Sequence, residues 1–129
     1  MEFFRIVNVI TSEDEIQKRL ILANLEAIST EIFVIGNQGI YDAEIGGIWG
    51  EFTLTRSEIK GGLRFALLEC PNALTWTVTT GYPPNRDSIV IHLTINRKQK
   101  APSFIEEINE FLDDHCDCLN QMFSQDASK

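Results

Sequence analysis

Residues 49–96 read WGEFTLTRSEIKGGLRFALLECPNALTWTVTTGYPPNRDSIVIHLTIN. Four runs of alternating apolar and polar side chains fill this stretch. Phe52 and Leu54 alternate with Glu51, Thr53 and Thr55; Leu63, Phe65 and Leu67 alternate with Arg64 and Ala66. Further on, Leu74, Trp76 and Val78 alternate with Thr75, Thr77 and Thr79, and Ile89, Ile91, Leu93 and Ile95 with Val90, His92, Thr94 and Asn96. Side chains on a strand point to opposite faces in turn, so a period of two marks a sheet with one buried face. The interruptions at 57–62, 70–73 and 81–88 are short enough for consecutive strands to pair antiparallel. An antiparallel meander over about residues 48–96 is the expectation.

Working outward, residues 3–10 predict a first strand, with Phe4 and Ile6 on one face and Phe3, Val7 and Val9 on the other. Both faces are apolar, which requires a strand covered on both sides or a shorter one. Thr11-Ser12-Glu13-Asp14-Glu15 predicts a helix start: Ser12 caps, Glu15 stands three residues on, and three carboxylates sit at the positive end of the dipole. That helix is expected to run to about Ile28, with Ile16, Leu20, Ala23 and Ala27 on its apolar face and Ile21, Leu25 and Ile28 widening it. Residues 31–35 predict a strand, 36–39 a turn and 40–45 its return. Gly46, Gly47 and Gly50 bracket Ile48 and Trp49, a spacing that signals a corner in the sheet or a close backbone approach to a ligand.

After the meander, Ser103 with Glu106 predicts the cap of a last helix reaching about Phe123. Phe104, Ile105, Ile108, Phe111, Leu112, His115, Leu119 and Met122 form one side of it, and Glu106, Glu107, Glu110, Asp113, Asp114 and Asp117 the other. The fold class is therefore α+β: a single antiparallel sheet with an N-terminal and a C-terminal helix packed on one face. Residues 1–123 are expected to be one domain, with 124–129 a frayed C-terminal tail.

Composition narrows the function classes. The chain has 129 residues, 43% of them hydrophobic and 23% charged, an ordinary globular balance. A net charge of -8 disfavours nucleic acid and anionic membranes as partners, because phosphate binding is driven by Lys and Arg. Three cysteines, Cys70, Cys116 and Cys118, fit reduced thiols better than a disulfide framework. The apolar runs are too short for a bilayer span and the start lacks a secretory pattern, so a cytoplasmic location is expected.

Candidate chemistry is sparse. In Asp113-Asp114-His115-Cys116-Asp117-Cys118, helical spacing lets only His115 and Cys118 share a metal, with His92 and Cys70 as the soft ligands left elsewhere. A core-facing His115 beside half-buried thiols is the simpler expectation, and no metal or cofactor is assigned. His92 serves as a general base only if its face of the sheet lines a pocket, with Glu51, Glu69 or Arg64 to orient it. Asp42 and Glu44 share a strand face as a carboxylate pair would, which outward polar alternation explains as well. No Gly-x-Ser-x-Gly turn or phosphate-cradling glycine loop occurs.

Two functional expectations follow. The first is a small acidic protein-binding module, in its concrete form an inhibitor or immunity protein that neutralises a basic partner such as a nuclease toxin. Its contact residues would be Glu106, Glu107, Glu110, Asp113, Asp114 and Asp117, with Tyr82 and Arg86 from the proline-stiffened loop 81–88. The alternative is a small-molecule-binding or enzymatic domain with a pocket between sheet and helices, lined by Trp49, Trp76, Phe65 and Tyr82, with His92 or Glu69 as the polar group. Pairing of a sheet edge into a homodimer is a further expectation.

Overall fold

Along the chain the elements are β1 (Glu2–Val7), α1 (Glu13–Arg19), a 3-10 turn (Leu22–Asn24), α2 (Leu25–Ile28), β2 (Ile32–Gln38), β3 (Asp42–Gly47), β4 (Gly50–Ile59), β5 (Gly62–Leu68), β6 (Thr75–Thr80), β7 (Ile89–Thr94) and α3 (Pro102–Ala127). The computed structural model describes residues 1–70, 73–81, 88–96 and 102–127, with side chains to Ser124. Seven strands form one antiparallel sheet in the order β1-β7-β6-β5-β4-β3-β2. The meander β2 to β7 runs in sequence, and β1 closes the far edge against β7, Glu2 opposite Thr94.

Alternation places one face inward. Leu54, Leu63, Phe65, Trp76, Val78, Ile89, Ile91 and Leu93 are all fully buried. Each such side chain is worth about 1.5–3 kcal/mol relative to exposure. The first strand is the shorter one: Val7 is buried, while Phe4 and Ile6 on the outer face are each 55% exposed. β4 runs on to Ile59, where the sequence pattern places a break from residue 57, because Ser57, Glu58 and Ile59 still find partners in Arg64, Leu63 and Gly62. β2 likewise continues through the expected turn at 36–39 to Gln38, with irregular pairing between Val34 and Gln38.

The N-terminal helix departs most from expectation. Ser12 caps it, its side chain accepting from the Glu15 N–H at 3.2 Å. It then ends at Arg19, with Leu20 at φ -90 and ψ 68. The reason lies in which residues must be buried. Leu20, Leu22, Leu25 and Ile28 all reach the core, whereas Ile21, Ala23 and Ala27 are exposed. At about 100° per residue a straight helix would send Leu22 roughly 200° away from Leu20. The chain breaks instead and turns each leucine inward. Arg56 of β4 stabilises the break from beneath: its Nε donates to the Leu20 carbonyl at 2.7 Å and its Nη2 to the Gln17 carbonyl, two of the orphan acceptors at a helix end.

α3 lies over the same face. Ile108, Phe111, Leu112, His115, Leu119 and Phe123 are buried, the spacing of one helical stripe. It opens at Pro102, so Ser103 is a first-turn residue and not the cap expected of it; proline suits that opening position because the missing N–H has no partner there anyway. The helix continues to Ala127, past Phe123. Arg5 of β1 ties its outer side down, Nε to Asp113 Oδ1 at 3.0 Å and Nη2 to Asn109 Oδ1 at 2.7 Å.

Candidate functional site

The hairpin between β3 and β4 builds the site's mouth. Gly47 faces Gly50, leaving Ile48 and Trp49 as a two-residue tip. A side chain on Gly47 would stand 2.5 Å from the Glu31 carbonyl oxygen, and Gly50 has φ +112. The glycines therefore mark a tight corner against β2, and that corner lays Trp49 over α3. Its indole meets Phe111 at 5.2 Å and Phe104 at 6.3 Å between ring centres.

A pocket of about 310 Å³ opens there, between the end of the sheet and the first turns of the helix. Trp49, Phe52, Phe104 and Leu74 line it with Ile48, Cys70 and Glu107. Glu69 (φ 65) and Ala73 (φ 49), the non-glycine residues of positive φ among those described, flank Cys70 and Leu74 on this rim. Such backbone is costly and tends to be retained at sites where a loop is held for a purpose. Glu107 is the charged group among the described lining residues, which disfavours an anionic occupant.

Behind the mouth lies a run of rings. Phe111 touches Trp76 at 5.1 Å and His115 at 5.6 Å, and Trp76 touches Phe65 at 5.1 Å. Four buried side-chain polar atoms have no hydrogen-bond partner among the described residues: Thr11 Oγ1, Trp49 Nε1, Trp76 Nε1 and His115 Nε2. Three of those four belong to this one cluster. Buried polar groups are paired almost everywhere in folded proteins, so their concentration behind a pocket singles the cluster out.

His115 is the polar centre of the cluster. Its Nδ1 lies 2.8 Å from the Ile28 carbonyl, a contact that places the proton on Nδ1 and leaves Nε2 as an acceptor. Burial pushes its pKa down to about 4, against the opposing pull of the Ile28 carbonyl and the Asp114 charge, so the ring is neutral at pH 7.

The other residues singled out from sequence are dispersed. His92 faces the outer side, stacked on Phe4 at 4.3 Å with Nε2 3.1 Å from Glu2 Oε1; Glu51, Glu69 and Arg64 do not orient it. Glu69 is exposed and accepts from the Thr53 N–H at 3.1 Å. Asp42 and Glu44 are exposed. Cys118 lies beside Asp114 (4.0 Å), and among the described residues no three His, Cys, Asp or Glu side chains gather as a metal site. Of the acidic row, Glu106, Glu110, Asp113 and Asp117 are exposed and Glu107 is half-buried. Asp114 turns inward to the α2–β2 junction, accepting from Ser29 Oγ at 2.7 Å, the Thr30 N–H at 2.9 Å and Thr30 Oγ1. Burial raises its pKa, but these bonds outweigh burial and hold it below the ordinary value. Tyr82 and Arg86 lie outside the described residues. Of the residues the alternative reading sets around a pocket, Trp49 lines one, whereas Trp76 and Phe65 lie buried behind it, linked to Trp49 through Phe111; His115, not His92 or Glu69, is the polar side chain beside them.

Larger clefts lie elsewhere: one of about 470 Å³ between the first helices and α3, one of about 420 Å³ beside α2 and β2, and one of about 360 Å³ across β2, β3 and β4. None of these three is lined by a residue with an unpartnered buried atom.

No protein-family model and no curated protein sequence matches the chain. Solved structures do match over nearly its whole length. A START superfamily protein from Mycobacterium smegmatis shares 12% identity over 96% of this chain and 97% of that one, with a TM-score of 0.59. Protein XoxI from Bacillus cereus shares 10% over 95% and 94%, TM-score 0.62. A protein from Nitrosospira multiformis shares 14% over the full length of both, TM-score 0.63. At such identities the likeness is one of fold: an antiparallel sheet wrapped about a long C-terminal helix. Among the described residues no helix is long and apolar enough to cross a membrane.

Proposed function

We propose that this chain binds a small, largely apolar molecule between its sheet and α3, admitted at the mouth formed by Trp49, Phe52, Leu74 and Phe104. The observation that carries the reading is the aromatic-walled pocket of about 310 Å³ with three buried nitrogens that have no partner among the described residues, Trp49 Nε1 at its wall and Trp76 Nε1 and His115 Nε2 behind it. That volume and lining suit a small organic ligand, oriented by few polar groups. Likeness to START-type folds, which typically bind small molecules, supports it. A cationic protein docking on Glu106, Glu110 and Asp117 is the competing proposal. It has less behind it, since Asp113 already pairs with Arg5 and Asp114 with Ser29 and Thr30.

A thermal-shift screen with neutral apolar metabolites, run beside uptake of the dye Nile red, tests the reading. A ligand at a hundred times its Kd adds about 2.7 kcal/mol and raises the melting temperature by several degrees. Hits should displace Nile red and lose their effect in Cys70→Phe, which fills the mouth. A flat screen with no dye uptake refutes the pocket.

A further inference from the structure

Trp76 and His115 are 1% and 0% exposed, and each has a ring nitrogen with no hydrogen-bond partner among the described residues. Their rings meet edge to face, centres 6.2 Å apart at 81°. Indole Nε1 carries a hydrogen and only donates. With its Nδ1 bound to the Ile28 carbonyl, His115 offers at Nε2 a lone pair that only accepts. A buried donor and a buried acceptor on adjoining rings select their complement. An ether or ketone satisfies the donor alone, and an ammonium the acceptor alone. A hydroxyl satisfies both through one oxygen.

One ring stands between this pair and the mouth. Phe111 contacts Trp49 on the outer side and Trp76 and His115 on the inner. Phe111 is fully buried, so a ligand at the mouth reaches the two nitrogens only if that ring turns aside. We infer that the ligand is an apolar molecule bearing a hydroxyl, an alcohol or phenol, which reaches past Phe111 to donate to His115 Nε2 and accept from Trp76 Nε1–H. The inference rests on the pocket proposed above and specifies the chemistry it takes. Glu107 at the rim agrees with a neutral hydroxyl in place of a carboxylate.

Phenol, anisole and toluene separate the possibilities, because they share a ring and differ in what they donate and accept. Wild type and Phe111→Ala are titrated with each, following the Trp76 indole N–H and the His115 ring nitrogens by NMR. Phenol should bind on the order of ten- to a hundredfold tighter than anisole, the worth of the one buried hydrogen bond, to His115, that an ether cannot donate. It should move both reporter signals. His115→Leu should erase the preference while leaving anisole's affinity in place. Equal affinity for phenol and anisole overturns the hydroxyl inference and leaves the pocket standing. So does uptake of Nile red with no binding of any of the three. A slowly exchanging water on His115 that phenol fails to displace also overturns it, making the pair a structural water site. Absence of dye and probe binding alike overturns the pocket and the inference together.

Discussion

Acid should loosen this fold through His115 in a window set by one imidazole. Its pKa is held down to about 4 in the folded chain against 6.5 for an ordinary histidine. Because the folded value is the lower one, the unfolded chain takes up the proton first. The stabilisation is whole above pH 6.5 and is lost as pH falls toward about 4. At about 1.36 kcal/mol per unit the full difference is roughly 3 kcal/mol, most of it gone by pH 4.5. Asp114 does not blur the window, since its pKa lies below 3.8 and its own loss comes at lower pH. The assay is urea unfolding of wild type and His115→Leu at pH 7.5, 5.5 and 4.5. Leucine keeps the apolar stripe but leaves the Ile28 carbonyl unpaired, costing about 1–3 kcal/mol at neutral pH. The wild type should therefore lose its advantage on acidification, and the two curves should converge by about 2–3 kcal/mol at pH 4.5. Parallel curves, or a His115 ring that titrates near 6.5 by NMR in the folded chain, would refute the reasoning.

Three other outcomes are expected. Arg56→Met should cost about 2–4 kcal/mol in urea unfolding, since it strips the partners from two carbonyls at the end of α1; hydrogen exchange should show that helix opening first. Asp114→Ala should cost about 2–3 kcal/mol by removing three bonds that hold α3 to the α2–β2 junction, whereas Asp117→Ala, exposed and outward, should change stability by less than about 0.5 kcal/mol. Burial pushes the Cys116 thiol up to about 11 from 9.0. At pH 8 it should alkylate about a hundredfold more slowly than an ordinary thiol, the difference vanishing in denaturant, as peptide mass spectrometry would show.

The sheet was legible because a period of two needs no knowledge of neighbours: Leu63, Phe65, Trp76, Ile91 and Leu93 declare their face within their own strands. The same holds for α3, whose stripe from Ile108 to Leu119 repeats every three or four residues. The break after Arg19 was not legible. It depends on Arg56, nearly forty residues on, reaching up from β4 to the carbonyls of α1. Phe65 and Trp76, behind the pocket, were readable as aromatics on inward parity, whereas Trp49 stands on a hairpin tip that has no parity to read. The polar group was harder. His92 drew attention as a strand histidine, yet its parity already put it on the outer face with Phe4. The usable signal was a histidine four residues after Phe111 within an otherwise apolar stripe. Its missing partner on Nε2 becomes visible only once β6 brings Trp76 beside it.

The edge made by β1 has a bearing on how the polypeptide is born. Met1 and Ile95 exchange hydrogen bonds at 3.1 Å, amino group to carbonyl and amide to carbonyl, at the very start of the pairing with β7. During synthesis β1 leaves the ribosome well before β7, and loop closure over such a span is slow. Until β7 emerges, β1 has no strand to pair with, so this edge of the sheet waits on a partner more than eighty residues away.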